Sequence, residues 1–247
     1  MLGKEDGSDN YLFTKEGSPE ETLDWYGFKY YTTAHTDGGC TTLHPHWLSC
    51  IERMFGGDKV WENALDWCAG DGGVGLMVLG SGYAKKISFL EPYPKAVANL
   101  RKNIERNNLD CEIFPIDNIA ELTGKYDLVI GNTPSARIPS LSDMYHMGWL
   151  RKNVFYPLKY EDALKDLKSK SPHRVFDFGW KIHKEFFANI EKNLLPGADV
   201  LLLENPKDFN PLFWEWGPTN LKLVRWIDQN QIKSFPRPRV VLHFKYE

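Results

Sequence analysis

The chain lacks a strong excess of charge of either sign. Its 247 residues hold 30 lysines and arginines against 33 aspartates and glutamates, a net charge of −3. This composition excludes a general attraction to polyanions, so any binding to nucleic acid would need a local basic patch. Cysteines are few, and the four at positions 40, 50, 68 and 111 form no C-x-x-C pair. This spacing argues against a zinc ribbon or a disulfide framework, favours a reducing compartment and predicts no bound metal.

Long apolar runs and export signals are also absent. No stretch approaches the roughly 20 apolar residues that span a bilayer, and residues 1–8 do not have the pattern of a signal peptide. The sequence contains no P-loop, calcium-loop or nucleophile-elbow motif. We expect a cytoplasmic protein with no membrane partner, and the sequence leaves its oligomeric state open.

Alternating strand and helix patterns begin at residue 61. The strands are predicted at 62–67, 86–91, 111–115, 126–131, 198–204, 221–227 and 239–246, and the helices at 44–55, 74–81, 94–107 and 178–194. This order predicts an α/β fold of the Rossmann-like, doubly wound type, with a mostly parallel seven-stranded sheet. No helix lies between the last two strands, so they predict a C-terminal antiparallel hairpin.

Two stretches depart from this alternation. Residues 1–24 hold seven acids and two lysines, a composition typical of a mobile segment, and the single domain is predicted over 25–247. A substrate-side insertion is predicted at about 135–177, where Arg137 to Arg174 carries eight basic and four acidic residues with interleaved aromatics. A long segment at a strand's carboxyl end is often functional. The equally weighted alternative is that the aromatics pack the insertion down and its lysines are solvated.

The most informative stretch is 65–75, where the first of these strands ends in clustered glycines and a helix follows. Residues 68–72, called the glycine turn below, can approach a ligand closely because glycine has no Cβ. The helix start would present free N–H groups to that ligand. Gly70, Gly72 and Gly75 match the G-x-G-x-x-G dinucleotide pattern, which alone is weak evidence.

Glu91 is a second residue that indicates a ligand at the glycine turn. It ends the next strand, 19 residues after Gly72, near the spacing at which an acid meets a ribose. A carboxylate suits this task because it can accept both ribose hydroxyls. An ordinary surface glutamate is the alternative, but the combination with the glycine turn favours a nucleoside site.

A third signal follows the fourth strand, which runs into Asn132-Thr133-Pro134-Ser135. With the glycine turn, Glu91 and Asp117-Asn118, this ordered set resembles the class I S-adenosylmethionine-dependent methyltransferases over about residues 61–204. The resemblance implies S-adenosylmethionine as cofactor, with the glycine turn at its methionyl part, Glu91 at its ribose and Asp117 at its adenine. The cofactor-binding residues implied in this way are Asp66, Cys68, Ala69, Gly70, Asp71, Gly72, Glu91, Pro92, Tyr93, Asp117, Asn118, Ile119 and Asn132.

The four residues 132–135 are similar to the Asn-Pro-Pro-Tyr signature of members that methylate amino or amide nitrogens. The catalytic residues implied are Asn132, Thr133 and Pro134. The Asn132 side-chain oxygen and the Thr133 carbonyl would accept both N–H bonds of a conjugated amine, which is a poor nucleophile, and stabilise its developing charge. Pro134 would bias Thr133 towards extended backbone.

This chain departs from that signature at two positions. Thr133 stands where the signature has its first proline, which predicts a looser turn. Ser135 stands where it has an aromatic, which removes a residue that would stack on a planar base or amide. We expect an aromatic side chain of the insertion to take the place of the missing stacking residue. The substrate-binding candidates are therefore Ser135, Tyr145 and Trp149.

Several alternatives stay open. The methyl acceptor is a nucleic-acid base, a protein amide or a small molecule. An NAD(P)-dependent oxidoreductase would use the same glycines and Glu91, although Asp66 inside the strand and the bulky Trp67-Cys68 argue against it. A non-catalytic binding module would retain the fold while its altered motif had lost activity.

Other residues carry weaker predictions. Thr42 and His44 are candidates for the edge of the cofactor site. His44-Pro45-His46 lacks the clustered acids or cysteines of a metal site. The tryptophans, Trp61, Trp67 and Trp226 among them, are expected to pack in the core.

Overall fold

The computed structural model of the protein describes residues 21–33, 40–133, 136–138, 176–178, 181–204, 220–228 and 240–247. The strands of these ranges are β1 (Glu21–Trp25), β2 (Phe28–Thr32), β3 (Trp61–Trp67), β4 (Ala84–Leu90), β5 (Glu112–Phe114), β6 (Tyr126–Gly131), β7 (Ala136–Ile138), β8 (Phe176–Phe178), β9 (Leu194–Glu204), β10 (Leu221–Asp228) and β11 (Val240–Tyr246). The helices are α1 (Cys40–Phe55), α2 (Gly73–Gly80), α3 (Pro94–Arg106) and α4 (Lys181–Asn189), and 3₁₀ turns lie at Ile119–Glu121 and Ile190–Asn193.

Seven strands form one sheet in the order β10-β11-β9-β6-β3-β4-β5. Strands β9, β6, β3, β4 and β5 are parallel, and β11 runs antiparallel to both β9 and β10. The predicted Rossmann-like, mostly parallel seven-stranded sheet with a C-terminal antiparallel hairpin is therefore confirmed. Two further pairs, the β1–β2 hairpin and the short parallel β7–β8 pair, were not predicted from the sequence.

The sheet is covered on both faces because successive side chains of a strand point to opposite sides. Ala64 of β3 packs in one cluster with Trp47 of α1 and Leu100 of α3. Its neighbour Leu65 packs in the other cluster with Phe186 of α4. Helix α2 carries no polar side chain, and its first six residues are buried. The result is a three-layer α/β/α arrangement.

The predicted elements differ from the observed ones mainly at their ends. The helix predicted at 178–194 is shorter, because α4 gives way to a 3₁₀ turn and β9 already begins at Leu194. Strand β1 begins at Glu21, four residues before the predicted domain start at 25. Residues 1–20, Pro134, Ser135 and most of the predicted insertion, including Tyr145 and Trp149, lie outside the described residues.

The core prediction for the tryptophans is right for two of them and wrong for a third. Trp61 and Trp67 are buried. Trp226 is 64% exposed, because it lies on β10, the strand at the edge of the sheet. Its aromatic character alone could not reveal an edge position.

The N-terminal hairpin docks on the domain through specific hydrogen bonds. The Trp25 indole N–H donates to the Gly73 carbonyl at 2.8 Å. Asn103 of α3 accepts the Tyr31 N–H at 2.6 Å and donates to the carbonyls of Tyr31 and Asp71, both at 2.9 Å. One buried amide therefore joins β2, α3 and the glycine turn.

Replacing Asn103 by alanine is expected to lower the free energy of unfolding by about 2–4 kcal/mol, because three buried backbone groups lose their partner. Asn107, one helical turn later, contacts Lys29 N–H and carbonyl oxygen in the same way, but in an exposed position. Asn107→Ala is therefore the matched control and should cost less than about 1 kcal/mol. Urea denaturation of both variants measures the difference; equal costs would contradict the assignment.

Candidate active site

The candidate site lies where the strand order reverses. β4 and β6 flank β3 on its two sides, although β4 follows β3 directly in the chain and β6 comes later. In open α/β sheets, ligands bind at the carboxyl ends of the strands beside such a reversal. The glycine turn follows β3 there, Glu91 follows β4 and Asn132 follows β6. The fold thus brings the three sequence signals to one edge of the sheet.

The glycine turn uses backbone conformations that favour glycine. Gly70 and Gly72 have φ of 56° and 84°, in the left-handed region where a Cβ is costly. Half-buried Cys68 adopts φ of 60° although it is not glycine, a locally strained conformation. Ala69 fixes the turn to the next strand, since its N–H donates to the Leu90 carbonyl at 3.1 Å.

Glu91 is buried and hydrogen-bonded to the backbone of the turn. Its Oε2 accepts the Gly70 N–H at 2.8 Å, and its Oε1 accepts the Tyr93 N–H at 2.9 Å. Burial raises the pKa of Glu91, and the hydrogen bonds from Tyr93 and Gly70 oppose that rise. Two oxygens offer about four acceptor positions, so two bonds leave capacity for a ligand's hydroxyls.

Asp66 lies under the turn with no solvent exposure. Its Oδ2 accepts the N–H of Gly75 in α2 at 2.8 Å, whereas its Oδ1 is buried with no hydrogen-bond partner. Burial raises the pKa of Asp66 to about 8; the bond from Gly75 lowers it, and the nearby Glu91 raises it further. Asp66 is therefore a neutral carboxylic acid at pH 7.

Asp71 belongs to the glycine turn, but its side chain bonds to residues outside the turn. Its carboxylate is buried and accepts the Thr32 hydroxyl at 2.7 Å and the Asn99 amide at 3.3 Å. The Thr33 N–H adds a longer bond at 3.4 Å. The side chain thus holds the N-terminal hairpin and α3 to the turn. A cofactor contact by Asp71 stays a prediction that its side-chain bonds do not support.

The residues predicted beside the adenine have mixed environments. Pro92 and Asp117 are exposed, Tyr93 is half-buried, and Ile119 is buried in the cluster on the α4 face of the sheet. Asn118 is also exposed, and its side-chain oxygen accepts the N–H of Ala120 in the 3₁₀ turn. The exposed Asp117 carboxylate could reach a ligand, while Asn118 caps a turn.

Asn132 and Thr133 extend β6 past its last paired residue. Asn132 is half-buried, and Thr133 is buried with its hydroxyl directed at Glu204, the last residue of β9. The Thr133 Oγ1 donates to Glu204 Oε1 at 3.3 Å, and the same oxygen is 3.0 Å from Nε2 of His183 in α4. The Thr133 hydroxyl therefore has a buried acceptor, at a position where the sequence indicated only the loss of a proline.

Sequence reasoning missed Glu204 and His183. Glu204 could have been noticed, because it ends a predicted strand as Glu91 does. His183 gives no signal, since a single histidine within an amphipathic helix has no local pattern that predicts its partner.

His44 contacts the N-terminal hairpin. Its Nδ1 forms a 2.6 Å hydrogen bond with the Tyr26 hydroxyl, and its ring centroid lies 4.2 Å from that of Trp25. Burial, and secondarily the charge of His46, lowers the pKa of His44. These contacts show that His44 packs α1 against the N-terminal hairpin. The predicted roles of His44 and of Thr42, in the first turn of α1, at the edge of the cofactor site remain predictions.

The described residues contain neither a membrane-crossing helix nor a cluster of metal ligands. Among the helices there, none has the length and apolar character needed to cross a membrane. In the same residues, no three His, Cys, Asp or Glu side chains gather into a potential metal site.

Comparisons with known proteins agree with this geometry. Residues 46–141 match the family model described as Methyltransferase small domain. Ribosomal RNA small subunit methyltransferase C of Haemophilus influenzae (strain PittGG) is 28% identical over 126 residues, which cover 51% of this chain and 36% of that protein. Ribosomal protein L11 methyltransferase of Teredinibacter turnerae is 30% identical over 78 residues, 31% of this chain and 25% of that protein. The chain thus spans about a third or less of the length of these curated relatives.

Solved structures support the fold. The T. thermophilus 16S rRNA N2 methyltransferase in complex with AdoMet and guanosine superposes with a TM-score of 0.56 at 17% identity, covering 93% of this chain and 50% of that one. A methyltransferase from Pyrococcus furiosus gives a TM-score of 0.52 at 17% identity, with coverage of 81% and 82%. At these identities the likeness supports the Rossmann-like fold.

The neutral state of Asp66 predicts a specific pH dependence of stability. In the folded protein Asp66 keeps its proton up to about pH 8, whereas in the unfolded chain it loses it near the ordinary pKa of 3.8. Between these pH values only the folded state holds the proton, so the free energy of unfolding of wild type falls relative to that of Asp66→Asn as pH rises. The expected slope is about 1.4 kcal/mol per pH unit. Urea unfolding from pH 5 to 7.5 measures it. Glu62→Gln, at an exposed site of β3, controls for general charge effects; a flat difference for Asp66→Asn would contradict the assignment.

Proposed function

We propose, from the match of residues 46–141 to the family model described as Methyltransferase small domain, that the chain is an S-adenosylmethionine-dependent methyltransferase. We further propose that it transfers the methyl group to an amino or amide nitrogen. The observation that carries the proposal is the edge shared by the glycine turn, Glu91 and Asn132. The β3–β6 register supports it, because Trp67 pairs with Gly131, so Cys68 and Asn132 are the next residues of adjacent strands.

The residues of the site fit the cofactor. The Glu91 carboxylate has acceptor capacity for the two ribose hydroxyls while it keeps its bonds to Gly70 and Tyr93. Asp66 supplies a buried oxygen without a partner beneath the turn. When bound, the cofactor would supply an electrophilic methyl group on a sulfonium. Every other contribution comes from the chain, which binds the adenosyl group and orients the acceptor.

Asn132 and Thr133 would prepare the acceptor nitrogen. The lone pair of a conjugated NH₂ is delocalised, so two acceptors on its N–H bonds raise the electron density of the nitrogen as the new bond forms. The Asn132 side-chain oxygen and the Thr133 backbone carbonyl are the acceptors in this proposal. Transfer then depends on placement, with the reacting atoms about 3 Å apart. The proposed role of Pro134, to keep Thr133 extended, rests on the sequence.

For the acceptor we propose an amino group on a nucleic-acid base. One relative is named as a ribosomal RNA methyltransferase, and the basic, aromatic insertion offers charge and stacking side chains for a polynucleotide. A protein amine competes with it, because another relative is named as a ribosomal protein L11 methyltransferase. We also propose a cytoplasmic location, where such substrates lie.

Cofactor binding tests the first part of the proposal. Isothermal titration calorimetry should detect S-adenosylmethionine but not NAD, and Glu91→Gln should raise the Kd for S-adenosylmethionine roughly tenfold or more, because hydrogen bonds to the ribose are lost. The Glu62→Gln variant, at the opposite end of β3, should bind as wild type does. Binding of NAD alone would favour the oxidoreductase.

Methyl transfer tests the second part. Tritiated S-adenosylmethionine is incubated with separated pools of RNA, DNA, protein and metabolites, and the labelled atom is identified by mass spectrometry. Label is expected on a base nitrogen of RNA or DNA. Asn132→Ala should reduce turnover by about 100-fold or more and change the cofactor Kd by less than about threefold. Label in protein would move the acceptor to an amide or amine, and no label in any pool would favour the non-catalytic module.

A further inference from the structure

Three buried polar side chains form a cluster beside the candidate catalytic residues. Thr133 follows β6, Glu204 ends β9, and His183 lies on α4. In the β6–β9 ladder Gly131 pairs with Leu202, so two residues later Thr133 and Glu204 continue side by side on the same face. This register explains how residues 71 apart in sequence form a hydrogen bond. We call the three side chains the motif anchor.

The motif anchor is shielded from water. His183 and Glu204 have 0% and 1% exposure, and Thr133 has 5%. Glu204 Oε1 lies 3.0 Å from His183 Nε2 and 3.3 Å from Thr133 Oγ1, and Thr133 Oγ1 is also 3.5 Å from the Leu203 carbonyl. A buried carboxylate is costly without such partners. The hydrogen bonds therefore specify one position for the Thr133 side chain.

Aromatic side chains of the sheet and of α4 pack against the motif anchor. The Trp67 ring stacks on Phe186 at 4.0 Å between centroids and meets the His183 ring edge-on at 5.6 Å. A Cβ on Gly131 would lie 2.8 Å from Trp67 Cε3, so the strand that leads into the motif lies directly on this ring. His183 and the end of β6 are thus held by the same side chain.

We propose that Glu204 and His183 are positioning residues that act through the Thr133 hydroxyl to hold the Thr133 backbone carbonyl in the orientation needed to bind the acceptor amine. This inference rests on the proposed function. Proline would fix this backbone through its ring; in this chain the hydroxyl of Thr133, bonded to Glu204, performs the task. The anchor also explains why a carboxylate and a histidine are buried at a strand end that must also bind substrate.

The consequence is geometric. Methyl transfer is sensitive to placement, and an error of about 1 Å in the reacting groups can cost about 100-fold in rate. Loss of the anchor should therefore lower kcat. Cofactor affinity should not change, because Glu91 and the glycine turn do not contact the anchor in any hydrogen bond of the described residues.

The experiment compares Thr133→Val, which removes the hydroxyl at nearly constant volume, with Thr133→Ser, which retains it. Thr133→Val should lower kcat by tenfold or more with the S-adenosylmethionine Kd within twofold, and Thr133→Ser should recover most of that loss because it retains the hydroxyl. Glu204→Gln should lower kcat similarly, and the Thr133→Val/Glu204→Gln double variant should be no worse than the poorer single variant.

A second buried histidine–carboxylate pair serves as a matched control; its carboxylate, Asp199, lies on β9 as Glu204 does, and its histidine, His243, lies on β11. His243 Nε2 lies 2.8 Å from Asp199 Oδ1, and both residues are buried, but Asp199 pairs with Leu128, well before the carboxyl end of β6. His243→Gln should lower stability and leave kcat unchanged. An equal loss of kcat in His243→Gln would show that any buried pair has this effect and would overturn the proposal.

Hydrogen–deuterium exchange of the peptide covering 126–133 separates this inference from the proposed function. Thr133→Val and Glu204→Gln should speed exchange at its carboxyl end, whereas Thr133→Ser and His243→Gln should not. Unchanged exchange and kcat in Thr133→Val, or equal damage by Thr133→Ser, would overturn the anchor. If wild type transfers no methyl group to any pool, the proposed function fails, and the exchange data alone decide whether the anchor holds the motif.

Discussion

Two buried carboxyl groups, one in β3 and one directly after β4, accept backbone N–H groups of the glycine turn and of α2. Asp66 accepts the N–H of Gly75 at the start of α2, and Glu91 accepts the N–H of Gly70 within the turn. Their proximity matters, because the charge of Glu91 adds to burial in raising the pKa of Asp66 to about 8. One neutral acid and one hydrogen-bonded carboxylate can therefore share a dry region that two free charges could not. The shape of the turn, and with it the candidate cofactor site, depends on this arrangement.

The two faces of the sheet contribute different parts of the site. Asp66 lies on the face covered by α1, α2 and α3, where the glycine turn enters α2. Trp67 lies on the opposite face with α4, where Thr133 meets Glu204 and His183. Because strand side chains alternate, adjacent residues of β3 support the turn on one face and the motif on the other. The edge at which the strands end is where both supports meet.

Sequence reasoning was most successful where the signal is local. The glycine turn and Glu91 are separated by one helix and one strand, and their spacing together with the clustered glycines predicted that they would meet at one site. The mostly parallel sheet followed from the alternation of strands and helices. The N-terminal hairpin was missed because its attachment is made by Asn103 and Asp71, whose amide and carboxylate give no pattern in the sequence. The sequence likewise gives no sign that the Asp71 side chain binds the hairpin; its contact with the cofactor stays a prediction.

The motif anchor could not be predicted, because it depends on the register between β6 and β9 and on the packing of α4. From the sequence, Thr133 was only a missing proline. In the structure, its hydroxyl has a buried acceptor. Thr133 lacks the ring that would make the backbone rigid. In our proposal its hydrogen-bonded side chain supplies that rigidity instead, through His183 and Glu204, which lie 50 and 71 positions away in the sequence.

The most direct test of the central claim is a crystal structure with S-adenosylhomocysteine, the demethylated form of the proposed cofactor. The account predicts that the ligand lies against the glycine turn, with both ribose hydroxyls on the Glu91 carboxylate and the Gly70 bond to that carboxylate intact. A ligand bound elsewhere, or a Glu91 carboxylate that makes no contact with the ribose, would contradict it.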